Sequence, residues 1–141
     1  MALKPFIHKV QYYETDKMGI THHANYIHWL EEARIDMMEQ LGYPYERLEA
    51  EGVGIPVTTI SFEYKASTTF PECIRIEPRI VSFNGVILEM RYRLLRESDG
   101  CLVAQASSRH AFVEKTGRIA RMKRDHAEFY ELMLRLVEPE D

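Results

Sequence analysis

The chain has 141 residues, 45% of them hydrophobic and 28% charged, which suits one soluble globular domain and excludes a disordered or low-complexity protein. Its formal net charge of −4 argues against general nucleic-acid affinity, and no apolar run approaches the roughly 20 residues of a membrane span. The first residues lack the apolar core of a signal peptide, and Cys73 and Cys101 form neither a disulfide framework nor a metal-type spacing, so a reducing cytoplasm is the expected compartment.

No repeat or linker divides the sequence, so residues 1–141 are read as a single domain. Phe6, His8, Val10 and Tyr12 alternate with Ile7, Lys9 and Gln11, the period of a first strand with one mostly apolar face. Over residues 24–41, Tyr26, Trp29, Leu30, Ala33, Met37 and Leu41 form a helical stripe that Ile27, Ile35 and Met38 widen. Gly42 is a suitable helix stop with Pro44 just beyond it, and a short helix is expected over residues 45–50. Strands follow over residues 57–66, 73–83, 86–95 and 101–113, with Pro78 marking an edge or a bulge. Glu97-Ser98-Asp99-Gly100 has the composition of a hairpin turn, and a short strand is expected after the turn at Lys115-Thr116-Gly117. Asp125 and Glu128 have capping-box spacing ahead of a last amphipathic helix carrying Phe129, Leu132, Met133, Leu136 and Val137. The order is α+β: a strand, a long apolar helix of about 27 Å, antiparallel strands, and a terminal helix.

The chemistry concentrates in Tyr12-Tyr13-Glu14-Thr15-Asp16-Lys17-Met18-Gly19-Ile20-Thr21-His22-His23-Ala24-Asn25-Tyr26. A carboxylate, Asp16, is delivered through a glycine-containing turn toward the start of the long helix. The first N–H groups of a helix have no intrahelical acceptor and favour negative charge, including an oxyanion forming at a carbonyl under attack. That pairing supplies acyl-transfer chemistry without a serine or cysteine nucleophile.

Tyr13-Glu14-Thr15-Asp16-Lys17-Met18-Gly19, followed by His23-Ala24-Asn25-Tyr26, resembles the signature of the 4-hydroxybenzoyl-CoA thioesterase family of hotdog-fold proteins, nearest its bacterial short acyl-CoA branch. The likeness runs through Phe62-Glu63-Tyr64-Lys65 and the later strands, and its specificity lies in residues 12–30. The resemblance implies a long helix wrapped by a five- or six-stranded antiparallel sheet, subunits joined sheet edge to sheet edge, and dimers or dimers of dimers with sites between subunits. It implies Asp16 as the catalytic carboxylate and the backbone N–H of His23 as an oxyanion donor. It places Gly19, Asn25 and Tyr26 in the substrate-binding motif and Ile55, Pro56 and Val57 along the acyl pocket. The chain departs from the family pattern at Ser67-Thr68-Thr69-Phe70-Pro71-Glu72, at Asn84-Gly85 and at Lys123-Arg124-Asp125.

The expected reaction is hydrolysis of an acyl-CoA to free acid and CoA, with CoA as part of the substrate and no cofactor or metal. Asp16 serves as nucleophile or as general base; both remain open. His23 and His28 diverge by roughly 140° on a helix, and His22 and His23 are adjacent and also divergent, so no histidine metal site is expected. Glu32 on the central helix is the rival carboxylate, matching a second hotdog branch whose helix opens with paired glycines where this chain has Ala24-Asn25. Arg121, Lys123 and Arg124, with Arg118, form a basic cluster suited to the phosphates of CoA, which carry about four negative charges. The alternatives are a thioesterase for acyl groups on an acyl-carrier protein and a non-catalytic acyl-CoA-binding module; a dehydratase of the same fold lacks its paired His and acidic motif here.

Overall fold

A computed structural model of the chain describes residues 3–138. Strand β1 (Phe6–Lys9) leads through a single 3-10 turn (Tyr12–Glu14) to helix α1 (Asn25–Leu41) and a short helix α2 (Tyr45–Ala50). Strands β2 (Val53–Gly54), β3 (Val57–Tyr64), β4 (Cys73–Phe83), β5 (Ile87–Arg96), β6 (Leu102–Ala111) and β7 (Val113–Glu114) follow. Helices α3 (Met122–Asp125) and α4 (Ala127–Leu136) end the described chain. One antiparallel sheet has five strands in the order β1-β4-β5-β6-β3, and β2 pairs with β7 in a separate ribbon. This is the hotdog arrangement, with five strands rather than six in the main sheet.

The core forms where the helical and strand periods face one another. Tyr26, Trp29, Leu30, Ala33, Met37 and Met38 of α1 are buried in one cluster with Ile74, Ile76, Ile80, Met90, Tyr92 and Leu94 of the sheet. Each apolar side chain removed from water in this way contributes about 1.5–3 kcal/mol before conformational entropy is set against it. Helix α1 stops at Gly42, whose φ of 82° is a left-handed conformation that a side chain would strain. Pro78 is buried, and its backbone nitrogen lies on the β1 side of β4, in a gap. Strand β1 covers β4 only from Cys73 to Ile76, and the chain returns at Ile80, whose carbonyl accepts the Glu138 N–H at 2.7 Å. Among the described residues no strand pairs with β4 at that point to need the missing donor, and a register irregularity follows between Ile80 and Ser82.

Four local expectations are corrected. Strand β1 ends at Lys9, and Tyr12 is 79% exposed, because the Gln11 N–H binds the Glu14 carboxylate and turns the chain out of the sheet. Asp125 does not cap α4: it is the last residue of α3, and its carboxylate is held by both guanidinium donors of Arg124 at 2.9 and 3.0 Å. The strand expected after Gly117 is reduced to one bridge, Ile119 to Val113. The rings of His22 and His23 do not diverge; they stack with centroids 4.6 Å apart.

Candidate active site

Asp16 sits at the head of a tight hairpin. Its N–H donates to the Ile20 carbonyl at 2.9 Å, and its own carbonyl accepts the Gly19 N–H at 2.9 Å. Gly19 closes the turn at φ 79°, a conformation that glycine adopts without penalty. The arms continue as a Thr15–Thr21 bridge and a bond from the His22 N–H to the Glu14 carbonyl at 2.8 Å. Asp16 is exposed, and its Oδ1 accepts the Met18 N–H at 2.8 Å. One carboxylate oxygen therefore shapes the turn, while Oδ2 has no protein partner among the described residues.

The chain then enters α1 with its donors almost all engaged. Ala24 N–H donates to His22 Nδ1 at 3.2 Å, Asn25 N–H to the His22 carbonyl at 3.0 Å, and Tyr26 N–H to the His23 carbonyl at 3.2 Å. The His23 N–H has no acceptor among the described residues. It lies at the positive end of the helix dipole, where an oxyanion is favoured. His23 lines an open groove of about 330 Å³ with Thr21, Tyr26, Tyr64 and Lys65, and the Tyr64 hydroxyl donates to the His23 carbonyl at 3.4 Å.

Beneath the hairpin lies a buried carboxylate that sequence reasoning missed. Glu14 is 4% exposed. Its Oε1 accepts the Gln11 N–H at 2.8 Å and lies 2.8 Å from His8 Nε2, and its Oε2 accepts the Trp29 indole N–H at 2.7 Å. Burial pushes the Glu14 carboxyl upward, but the donors from Trp29, Gln11 and His8 outweigh it and hold the group below the ordinary glutamate value. The rival carboxylate, Glu32, lies 3.1 Å from His8 Nδ1. Glu14 lies inside the Tyr13–Gly19 motif, but no periodicity of the sequence marks it as buried.

The remaining expected site residues fall into separate places. Asn25 Nδ2 donates to the Glu14 carbonyl at 2.9 Å, and the buried Tyr26 hydroxyl lies 2.9 Å from Thr68 Oγ1, so both side chains brace the hairpin and helix. Ile55 and Val57 line a cavity of about 360 Å³ with Arg34, Met38, Met90 and His110; Pro56 lies between them, its carbonyl accepting the Ala111 N–H. Burial and the charge of Arg34 hold the His110 imidazole down at about 4, so this imidazole is neutral at physiological pH. The cavity opens beside Arg34, nine residues along α1 from Asn25 and thus about 13 Å from the helix start. The basic cluster is more distant still. Arg121 and Lys123 lie where α3 meets Gly85, beyond the Phe83 end of β4, whereas the Asp16 hairpin leans on Thr68 and Thr69 at its Cys73 end. Ten steps along β4 are about 33 Å. One chain thus carries Asp16 and the His23 N–H at one end, with the cavity and the basic residues toward the other.

Residues 10–133 match the Thioesterase-like superfamily. The chain belongs to that superfamily. Bacillus subtilis YneP, named provisionally as an acyl-CoA thioesterase, is 36% identical over 107 residues, spanning 76% of this chain and 77% of that one. The acyl-CoA thioester hydrolase YbgC of Escherichia coli O6:H1 is 29% identical over 94 residues, 67% of this chain and 70% of its own. The DHNA-CoA thioesterase of Staphylococcus aureus superposes with a TM-score of 0.90 at 28% identity, covering 96% of this chain and 91% of that one. This thioesterase-like chain is a thioester hydrolase, and its superfamily match begins before Asp16 and ends within α4.

Proposed function

We propose that the protein hydrolyses acyl-CoA thioesters, with Asp16 as nucleophile or general base and the His23 N–H as an oxyanion donor. The observation that carries this reading is the His23 N–H, without an acceptor among the described residues at a helix start whose neighbouring donors are engaged, close in the chain to a carboxylate with one oxygen likewise unpartnered among them. A thioester carbonyl has weak resonance support and a good leaving group. Asp16 either attacks it, forming an anhydride that water opens, or draws a proton from an attacking water. In both routes negative charge grows on the carbonyl oxygen, and a preorganised N–H is worth most at that moment. No redox cofactor or metal is needed.

The separation of the parts argues for a site shared between two copies. Strand β3 is one of the two edge strands of the sheet, the longer of them, and most of its residues are exposed. Two copies paired antiparallel through β3 about a two-fold axis would run in opposite directions. The Asp16 end of one would then face the Val57, His110 and basic end of its partner. In this dimer the partner's cavity would receive the acyl group, and its Arg121 and Lys123 would face the phosphates of CoA. Arg124, already paired with Asp125, would contribute least to such a clamp. The free cysteines suit a reducing cytoplasm, and no helix among the described residues is long and apolar enough to cross a membrane.

The test is Asp16→Asn. Asparagine keeps an oxygen to accept the Met18 N–H, so the turn survives while the carboxylate is lost. Release of free thiol from acyl-CoA should fall by at least about a thousandfold with little change in melting temperature. An Asn variant that keeps most of its turnover refutes the role of Asp16. Matched acyl-CoA and acyl-carrier substrates compared on the wild type would separate the two donor classes, and tight acyl-CoA binding without thiol release would identify a binder.

A further inference from the structure

We propose that Glu14 is a positioning residue for the reaction: its buried carboxylate and its backbone carbonyl together lock the Asp16 hairpin to the start of α1. The inference rests on the reading that Asp16 and the His23 N–H carry out the hydrolysis.

Glu14 receives donors from several segments that must keep register with one another. Its side chain faces His8 of β1, the Gln11 N–H of the 3-10 turn and the Trp29 indole of α1. Its carbonyl accepts the His22 N–H of the return arm at 2.8 Å and Asn25 Nδ2 at 2.9 Å. The helix is therefore gripped at two heights, Asn25 and Trp29, by the residue that also closes the hairpin. His8 adds a second tie, with its ring 4.5 Å from that of Trp29 and its other nitrogen toward Glu32. Asp16 follows Glu14 by two residues and His23 follows His22, whose N–H the Glu14 carbonyl accepts, so the path between the Asp16 carboxylate and the His23 N–H runs through this junction.

Energetics favour positioning over mere filling. A buried carboxylate costs several kcal/mol to desolvate and is retained only where donors surround it. An apolar side chain would fill the same space at lower cost, but it would leave the Gln11 N–H and the Trp29 N–H unpaired and the two segments free to slide. Reaction rate is sensitive to such sliding: a misplacement of about 1 Å can cost about a hundredfold.

The experiment compares Glu14→Gln and Trp29→Phe with wild type and with Asp16→Asn, using acyl-CoA and reading kcat, KM, thermal melting and far-UV spectra. Glutamine keeps the volume but cannot accept from the Gln11 backbone N–H, His8 and Trp29 all at once. We expect kcat of the folded Glu14→Gln protein to fall about tenfold to a hundredfold, with KM within about threefold. Trp29 is the single tryptophan, so its emission in Glu14→Gln reports the altered indole bond directly. Trp29→Phe deletes one donor while keeping an aromatic ring and should lower kcat by a smaller factor in the same sense. Wild-type kcat in folded Glu14→Gln, or a decrease that merely tracks the unfolded fraction, overturns the proposal. Should Glu14→Gln fail to fold, Trp29→Phe decides: wild-type kcat there overturns it. Full activity in Asp16→Asn defeats the underlying catalytic reading; an inactive Asp16→Asn beside a fully active Glu14→Gln defeats the positioning role alone.

Discussion

Acidification should destabilise this fold in a window set by His110. The residue is 1% exposed, its Nε2 lies 2.8 Å from Ser108 Oγ, and that hydroxyl lies 2.7 Å from the Tyr92 hydroxyl, which accepts from Arg34 at 3.2 Å. Burial, and next the charge of Arg34, bring the imidazole from 6.5 down to about 4. The unfolded chain takes up this proton near pH 6.5, whereas the folded chain refuses it until about pH 4. Stability from this group is therefore complete above pH 6.5 and is lost as pH falls toward 4. The gap between the two values, at about 1.36 kcal/mol per pH unit, amounts to about 3 kcal/mol. Glu14 acts lower down: its carboxyl is held below 4.5, so its contribution is present above that value and is lost only on further acidification. Urea unfolding followed by far-UV circular dichroism, at several pH values between about 7.5 and about 4.5, should show wild-type stability falling across the interval. His110→Gln removes the titrating group and should flatten that slope, whatever its stability at neutral pH. Equal slopes for the two proteins would refute the assignment.

Gly19→Ala meets no atom within 4 Å, so its cost is conformational: at φ 79° alanine should lower stability by about 1–2 kcal/mol in calorimetry. It should also reduce kcat, because the same turn carries Asp16. Arg121→Ala with Lys123→Ala should raise KM for acyl-CoA several-fold and weaken its salt dependence; thioesters truncated to lack the CoA phosphates should be unaffected. Equal losses on both substrates would place the effect outside phosphate recognition. Phe129 is fully buried among the rings of Tyr43, Phe83 and Phe112, so Phe129→Ala should cost about 3–5 kcal/mol by chemical denaturation. Its site is at the far end of the sheet from Asp16, so kcat of the folded fraction should survive.

The parts legible in the sequence were those governed by period and by turn chemistry. The limits of α1 and β4 followed from the spacing of apolar residues and from Gly42, because burial on one face imposes a repeat that can be counted. The Asp16 turn was legible through its glycine and its motif. Pairing between charged neighbours was not. Asp125 has the spacing of a cap, yet Arg124 beside it offers two donors at once and takes the carboxylate. Tyr12 continues the alternation of β1, yet the Gln11–Glu14 bond ends the strand before it. Local periodicity is overruled wherever a side chain supplies a stronger partner than the next rung of the ladder.

Glu14 was the least legible residue of the site, and the reason is physical. A buried acid leaves no periodic trace, since its position is decided by donors distant in sequence: Trp29 lies fifteen residues on, and His8 belongs to a strand already finished. Asp16, by contrast, is exposed and answers to its own turn, so its neighbours in sequence are its neighbours in space. On the proposed reading, the chain separates two tasks that one carboxylate would perform poorly. A group held by three donors is rigid but too well satisfied to attack a carbonyl, and an exposed group is reactive but free to wander. On the proposed reading, placing Glu14 two residues before Asp16 would let the first carboxylate hold the backbone from which the second one would work.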